Sequence, residues 1–276
     1  MTRPFVSLLT DFGLRDPSAA ICRAVIASIA PEAIVVDLSH EVRKYAIRDG
    51  ALLLWCAVPY FPVGVHVAVV DPGVGTARRP IAVRAGRGDV LVGPDNGLLL
   101  PALERLGGLD EARLLENRAL WLPTVSTSFH GRDIFSPVGA HVAAGDAAFE
   151  HVGPVVDPDT LVRLPLPPVR VREGALETGV VYVDTFGNVK LAGLVEDLTA
   201  ALGPLRAGDR LAVEVGEPEE ARTLDLPWAT TFGEQAAGSP LVYEDSYGRA
   251  CIAVNQGDAA AALGLREDLP VVVRRG

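Results

Sequence analysis

The sequence predicts an α/β protein: an N-terminal α/β domain on a mostly parallel central sheet, then a C-terminal all-β, barrel-like domain. Three observations predict it. In the first half, continuous apolar strand runs alternate with helical periodicity, the pattern of a parallel sheet covered on both faces. Pro154, Pro158, Pro165, Pro167 and Pro168 then crowd one stretch, as in a linker. Beyond it, short strand-like runs are separated by turn residues, the pattern of a barrel or sandwich. The domains are placed at 1–160 and 170–276.

The elements follow in order. Phe5 to Leu9 is an apolar run ending in Thr10-Asp11-Phe12-Gly13. Asp16-Pro17-Ser18 has the form of an N-cap with proline at the first helical position. Ile21, Val25 and Ile29 recur every four residues, as on one face of a helix. Ala33 to Leu38 is a β-branched run of buried-strand type, Ala46 to Val58 a second helix, and Val65 to Val70 a second buried strand ending in Asp71-Pro72-Gly73. Pro80 to Val92 reads as a hairpin turning at Gly86-Arg87-Gly88. In the second half the strand-like runs are Val180–Val183, Val189–Leu191, Arg210–Val215, Leu241–Glu244, Arg249–Val254 and Pro270–Arg274.

Of the 276 residues, 49% are hydrophobic and 22% charged, which provides a sizeable core. The net charge of −10 argues against nonspecific binding to nucleic acid or an anionic membrane. No apolar stretch has the length of a membrane span, and the start of the chain lacks the apolar segment of a signal peptide. A soluble cytoplasmic protein is expected. Cys22, Cys56 and Cys251 sit in apolar runs, too few and too scattered for a disulfide framework or zinc knuckle; buried thiols are expected. Lysine occurs only at Lys44 and Lys190, a bias that fits genome composition.

Ligands of open α/β sheets bind outside the carboxyl ends of the strands. Asp11, Asp71 and Asp95-Asn96-Gly97 stand at such ends, although Asp after a strand is often only a turn former. The Gly-rich run Asp71 to Thr76 lacks the Lys-Ser/Thr of a phosphate loop. His130, in Ser128-Phe129-His130-Gly131-Arg132-Asp133, lies between a Ser/Thr-rich loop and a helix start, where function is over-represented. His40, His66, His130, Asp11, Asp71 and Asp133 could supply metal donors, but no metal-ligand spacing is present. There is also no G-x-S-x-G elbow of a serine hydrolase. Asp184-Thr185-Phe186-Gly187-Asn188 is a hairpin turn, or a turn presenting Phe and Asn to a flat heterocycle. Ser246-Tyr247-Gly248 and Asn255-Gln256-Gly257 place further polar groups on turns.

These segments run in the order of a known family. Leu9 to Gly13 with Asp16, Asp37-Leu38-Ser39-His40, Val70 to Gly75, Gly93-Pro94-Asp95-Asn96-Gly97, Phe129 to Asp133, Asp184 to Asn188 and Asn255 together resemble the S-adenosyl-L-methionine (SAM) hydroxide adenosyltransferases, relatives of the SAM-dependent chlorinase and fluorinase. The resemblance spans about 5 to 257. It implies hydrolysis of SAM to adenosine and L-methionine, with no metal or cofactor, by a homotrimer whose site lies between one subunit's N-terminal domain and its neighbour's C-terminal domain. It implies an Asp71–Arg78–His130 set acting on water, with Asp71 and His130 orienting and deprotonating it and Arg78 stabilising developing hydroxide. Asp11 resembles the residue gripping the ribose hydroxyls. Asp16, Ser18, Asp184 and Ser246 resemble methionine contacts, Phe186 and Asn188 the adenine pocket, and Asn255 a further binding residue. Tyr247 departs from the pattern: the fluorinase has an arginine there. Rival readings are a SAM-dependent halogenase and a non-catalytic SAM or adenosine binder. A methyltransferase is disfavoured, because no glycine-rich loop follows the first strand.

Overall fold

The computed structural model describes residues 3–276, and the chain divides into two compact units after Leu164. The first unit is built on a six-stranded mixed sheet. Its elements are β1 (Phe5–Thr10), α1 (Ser18–Ile29), β2 (Ile34–Ser39), α2 (Ile47–Ala57), β3 (Val65–Val69), β4 (Pro80–Ala85), β5 (Val90–Pro94), α3 (Leu100–Leu103), β6 (Leu109–Leu114) and α4 (Ser136–Ala144). The sheet order is β2-β1-β3-β5-β4-β6. The first four strands are mutually parallel; β4 runs against them, and β6, antiparallel to β4, runs with them again.

Side chains alternate across this sheet, so each strand feeds two cores. Leu9, Ala68, Val83 and Leu91 pack with Leu54 of α2 and Leu103 of α3. Leu8, Val67, Ala82 and Val92 pack on the other face with Cys22 and Ile26 of α1 and Val138 of α4. Both faces of the central strands are thus dry, which is why β1, β3 and β5 are mostly apolar and the polar residues within them, Ser7, Thr10 and His66, are hydrogen-bonded to one another or to neighbours.

Three local expectations change. Helix α1 begins at Ser18, Pro17 takes the N-cap position, and Asp16 makes no capping bond. Its buried stripe is Ala19, Cys22 and Ile26 rather than Ile21, Val25 and Ile29, which flank it half-buried. Strand β2 is an edge strand with no fully buried residue; its β-branched run reflects strand propensity, not burial.

The second unit is an antiparallel, nearly closed barrel-like sheet: β7 (Arg170–Arg172), β8 (Ala175–Val183), β9 (Val189–Leu194), β10 (Arg210–Val215), β11 (Arg222–Pro227), β12 (Pro240–Glu244), β13 (Arg249–Val254) and β14 (Pro270–Arg275). The order is β11-β10-β14-β8-β9-β13-β12, with β7 on β8. A single bridge between Trp228 and Val242 joins the ends of the path. Two helices that the all-β reading omitted, α5 (Val195–Leu202) and α6 (Ala259–Leu263), accompany the sheet. Leu198, Ala201 and Leu202 of α5 enter the barrel core beside Leu176, Val213 and Ile252.

Candidate active site

Register builds the first cluster. Thr10 of β1 pairs with Val69 of β3, so Asp11 and Asp71 leave neighbouring parallel strands at their carboxyl ends, where ligands of open sheets gather. Much of the sequence around them fastens these two ends. His40 Nδ1 lies 2.8 Å from Thr10 Oγ1 and its Nε2 3.0 Å from Asp37 Oδ1, while the Gly13 N–H donates to the His40 carbonyl at 2.7 Å. Asn96 Nδ2 donates to the Val70 carbonyl at 2.9 Å. Asp95 accepts from Arg79 Nε at 2.8 Å and from the Val162 N–H at 3.0 Å. His66 is wholly buried between Ser7 and Asp89. Asp37, His40, His66, Asp95 and Asn96 are therefore structural residues.

The glycine-rich loop after β3 returns Arg78 onto Asp71. Arg78 Nε donates to Asp71 Oδ1 at 3.1 Å and Nη2 to Oδ2 at 2.5 Å, a bidentate pair. Arg79 is engaged by Asp95 instead, so Arg78 is the guanidinium at Asp71. Gly75 is required there: its φ is +76°, and a Cβ would stand 2.3 Å from the Thr127 carbonyl oxygen. That approach seats the loop against the segment leading to His130. Asp133, wholly buried, accepts from the Ser126 N–H at 2.8 Å and pairs with Arg132. His130 heads a wide π-helical turn, Gly131–Phe135, that runs into α4.

Arg78 Nη2 lies 3.1 Å from His130 Nδ1. A guanidinium only donates, so Nδ1 accepts, and the proton of the neutral ring sits on Nε2. Burial, and then the Arg78 charge, hold the His130 pKa below the ordinary 6.5, outweighing Asp71 and Asp133. The ring is therefore neutral at physiological pH. With Nδ1 engaged by Arg78, the ring nitrogen left to meet a ligand is the donor Nε2–H. Asp71 and His130 line a cavity of about 260 Å³ together with Asp11, Lys44, Tyr45 and Phe129. Asp11 is buried, and its Oδ2 accepts from the Tyr45 N–H at 2.9 Å. Lys44 donates to the Asp11 carbonyl. Asp16 and Ser18 are not among the lining residues, and Asp16 is exposed.

A second cavity, of about 600 Å³, opens in the second unit. Asp184, Phe186, Asn188 and Ser246 line it, brought together by the β8–β9 hairpin and the β12–β13 turn. Asp184 is also the turn former: its Oδ1 accepts from the Phe186 and Asn188 N–H groups at 2.9 and 3.0 Å, and its Oδ2 from Asn188 Nδ2 at 3.0 Å. The turn leaves Phe186 77% exposed. Asn255 is not among the lining residues; its Nδ2 donates to the Gln235 carbonyl at 2.8 Å. Lys190 and Asp245, not singled out in the sequence, form the cavity's buried ion pair, Nζ to Oδ2 2.7 Å. Burial, the largest single effect, works against the Lys190 charge, but the hydrogen bond to Asp245 and the neighbouring negative groups, Asp184 among them, together outweigh it and the pKa is raised.

Two signals could have found the missed residues. Lys44 and Lys190, the two lysines of the chain, each line one of these cavities; the arginine bias has exceptions, and they fall where the ligands would be. Of the three non-glycine residues with left-handed φ among the described residues, Tyr45 (+66°) and Gln256 (+57°) also line the cavities, as strained backbone at functional sites does. No group of three or more His, Cys, Asp and Glu residues among those described could hold a metal ion.

Known proteins share this design. The model of the SAM hydroxide adenosyltransferase N-terminal domain matches residues 6–153 and that of the C-terminal domain residues 178–272. An (R)-S-adenosyl-L-methionine hydrolase of Salinispora tropica is 47% identical over 262 residues, 95% of this chain and 94% of that protein. One from Thermus thermophilus is 43% identical over 274 residues, 96% and 98% of the two chains. A fluorinase of an Actinoplanes species is 28% identical over 298 residues, 99% and 98%. The crystal structure of an uncharacterized conserved protein from Thermotoga maritima matches with a TM-score of 0.88 and 34% identity, covering 98% of this chain and all of that one.

Proposed function

Because the chain belongs to the SAM hydroxide adenosyltransferase family, we propose that it hydrolyses S-adenosyl-L-methionine to adenosine and L-methionine. Water attacks ribose C5′ in line with the sulfonium. The C5′–S bond breaks with its electron pair passing to sulfur, and the proton of the water is released. A sulfonium leaves as a neutral thioether, so the step needs neither a general acid nor a metal or cofactor. It needs a positioned and deprotonated water.

One observation carries this reading: Asp71, Arg78 and His130, remote in sequence, are hydrogen-bonded into one cluster beside a cavity. Asp71 accepts the water's proton. His130 donates Nε2–H to the water oxygen, and Arg78 holds both partners and stabilises the hydroxide that develops. Asp11 accepts from the ribose hydroxyls. Asp184 and Ser246 hold the methionine end, Phe186 stacks on adenine and Asn188 meets its edge. Asp16, Ser18 and Asn255, outside both cavity linings, join the site only as substrate and a second subunit close over it. Placing the N-terminal half-site of one subunit against the C-terminal half-site of its neighbour, in a cytoplasmic homotrimer, would bury the exposed Phe186 ring.

The relatives named as hydrolases are 35–47% identical and those named as fluorinases 27–28%, which favours water over halide. The hydrolases are named for the (R)-sulfonium, and we assign the same preference here, with disposal of a non-biological diastereomer as the role. The test is incubation with each sulfonium diastereomer in ¹⁸O-water, with and without halide. Adenosine labelled at the 5′-hydroxyl, formed faster from the (R)-sulfonium, is expected. A halogenated deoxyadenosine, or binding without turnover, would overturn the assignment.

A further inference from the structure

We propose that Lys190 is the cation that receives the α-carboxylate of the amino-acid end of the substrate, which makes it a specificity-determining residue; this rests on the reading above. The substrate's amino-acid head is a zwitterion, and its carboxylate is the one anionic group the molecule carries. Lys190 is the one basic side chain lining the second cavity. It is 9% exposed, and its Nζ lies 3.7 Å from Asp184 Oδ2. An ammonium beside a carboxylate on one wall is the electrostatic complement of a carboxylate beside an ammonium: Asp184 faces the amino group, Lys190 the carboxyl group. Adenine and ribose are neutral and offer this pair no matching charge.

The donor count agrees. An ammonium has three N–H donors. One serves Asp245 at 2.7 Å. The Asp184 oxygen, at 3.7 Å, is beyond hydrogen-bond distance. The Tyr247 ring, its centroid 5.7 Å from Nζ, gives a cation–π contact. Donors of a buried cation therefore remain for an acceptor that enters the cavity, and leaving them unmet is costly. The cation reaches the cavity from β9, against the face of Tyr247. A lysine suits the place because its ammonium is compact, where a guanidinium would demand a planar fork of acceptors.

The test compares two sulfoniums, S-adenosyl-L-methionine and its decarboxylated analogue, on the full-length protein and on Lys190→Met. The expected loss of kcat/KM for the carboxylate-bearing substrate is roughly 10–100-fold, the range of a charged hydrogen bond. For the analogue, kcat/KM stays unchanged or improves. Lys190→Met strands the buried Asp245 carboxylate, so the double variant Lys190→Met/Asp245→Asn is read the same way if the single variant does not fold. An equal penalty on both sulfoniums would mean that Lys190 only supports the fold, and no penalty on either would mean that it touches nothing; both overturn the inference. If the parent protein hydrolyses neither sulfonium, the proposed function fails by itself. Calorimetry with L-methionine and 3-(methylthio)propylamine then decides the role of Lys190: loss of methionine affinity alone supports it, and loss of both or of neither overturns it.

Discussion

Replacing Asp71 by asparagine separates the chemistry of the cluster from its architecture. The substitution keeps the side-chain shape and removes the charge. Asp71 and Arg78 side chains are 5% and 7% exposed, so little solvent screens the loss. The amide retains one acceptor for Arg78 and turns an NH₂ group toward the other guanidinium donor. Breaking a buried pair by removing one partner costs about 3–5 kcal/mol; with one hydrogen bond kept, about 2–4 kcal/mol is expected. At roughly 2–4 °C per kcal/mol for a unit of this size, melting should fall by roughly 5–15 °C. The rate falls for a different reason. Loss of a general base costs about 10²–10⁴-fold, or roughly 3–5 kcal/mol of barrier. At saturating SAM well below the melting point, product chromatography reads kcat on folded protein, so the two effects are measured apart. Hydroxide from solution can replace the lost base, and the variant's rate should climb about tenfold per pH unit. If Asp71→Asn turns over within about threefold of the parent, or its residual rate ignores pH, Asp71 does not take the proton.

Other outcomes follow from the same geometry. The active His130 is neutral, so kcat/KM should fall as pH drops through its pKa, with a midpoint below 6.5, and this acid limb should vanish in His130→Ala; a midpoint above 6.5 contradicts the assignment. The same shift links to folding: the native state binds fewer protons, so the stability His130 contributes is complete above 6.5 and declines as pH falls toward the native pKa, as melts across that window would show. Asp11→Asn should raise KM for SAM roughly tenfold or more with a smaller change in kcat, and a kcat effect alone would place Asp11 in the chemistry instead. Alkylation at neutral pH followed by mass mapping should label the half-buried Cys56 and spare Cys22 and Cys251, whose thiols burial pushes up to about 11 and about 12.

The strands that build the cavities were legible because their apolar runs are continuous: β1, β3 and β5 are dry on both faces and read as nothing else. Strands β6 and β11 were not, since LDEARL and RTLDLP are polar edge or near-edge segments whose pairing is decided by the neighbour, not by their own pattern. Helix α5 escaped for a similar reason: eight residues give little more than two turns of periodicity. In the site, Asp71, Arg78 and His130 could be named from motif order, but which nitrogen of His130 is occupied depends on a contact 52 positions away in the chain. Lys190 stayed hidden because a lysine on a strand reads as a solvated residue; its burial exists only once β9 lies beside β13 and Asp245. Phe186 shows the converse, since a sequence cannot say that an aromatic on a turn will be left outside.

The left-handed backbone at Tyr45 and Gln256 sets a trap for anyone hardening this protein against heat. Such a conformation costs an ordinary residue of order 1 kcal/mol or more, which glycine largely escapes. A library sorted for survival at elevated temperature would be drawn to glycine at both places, discarding the side chains that stand at the mouths of the two cavities. Turnover should therefore be screened alongside thermal tolerance from the first round.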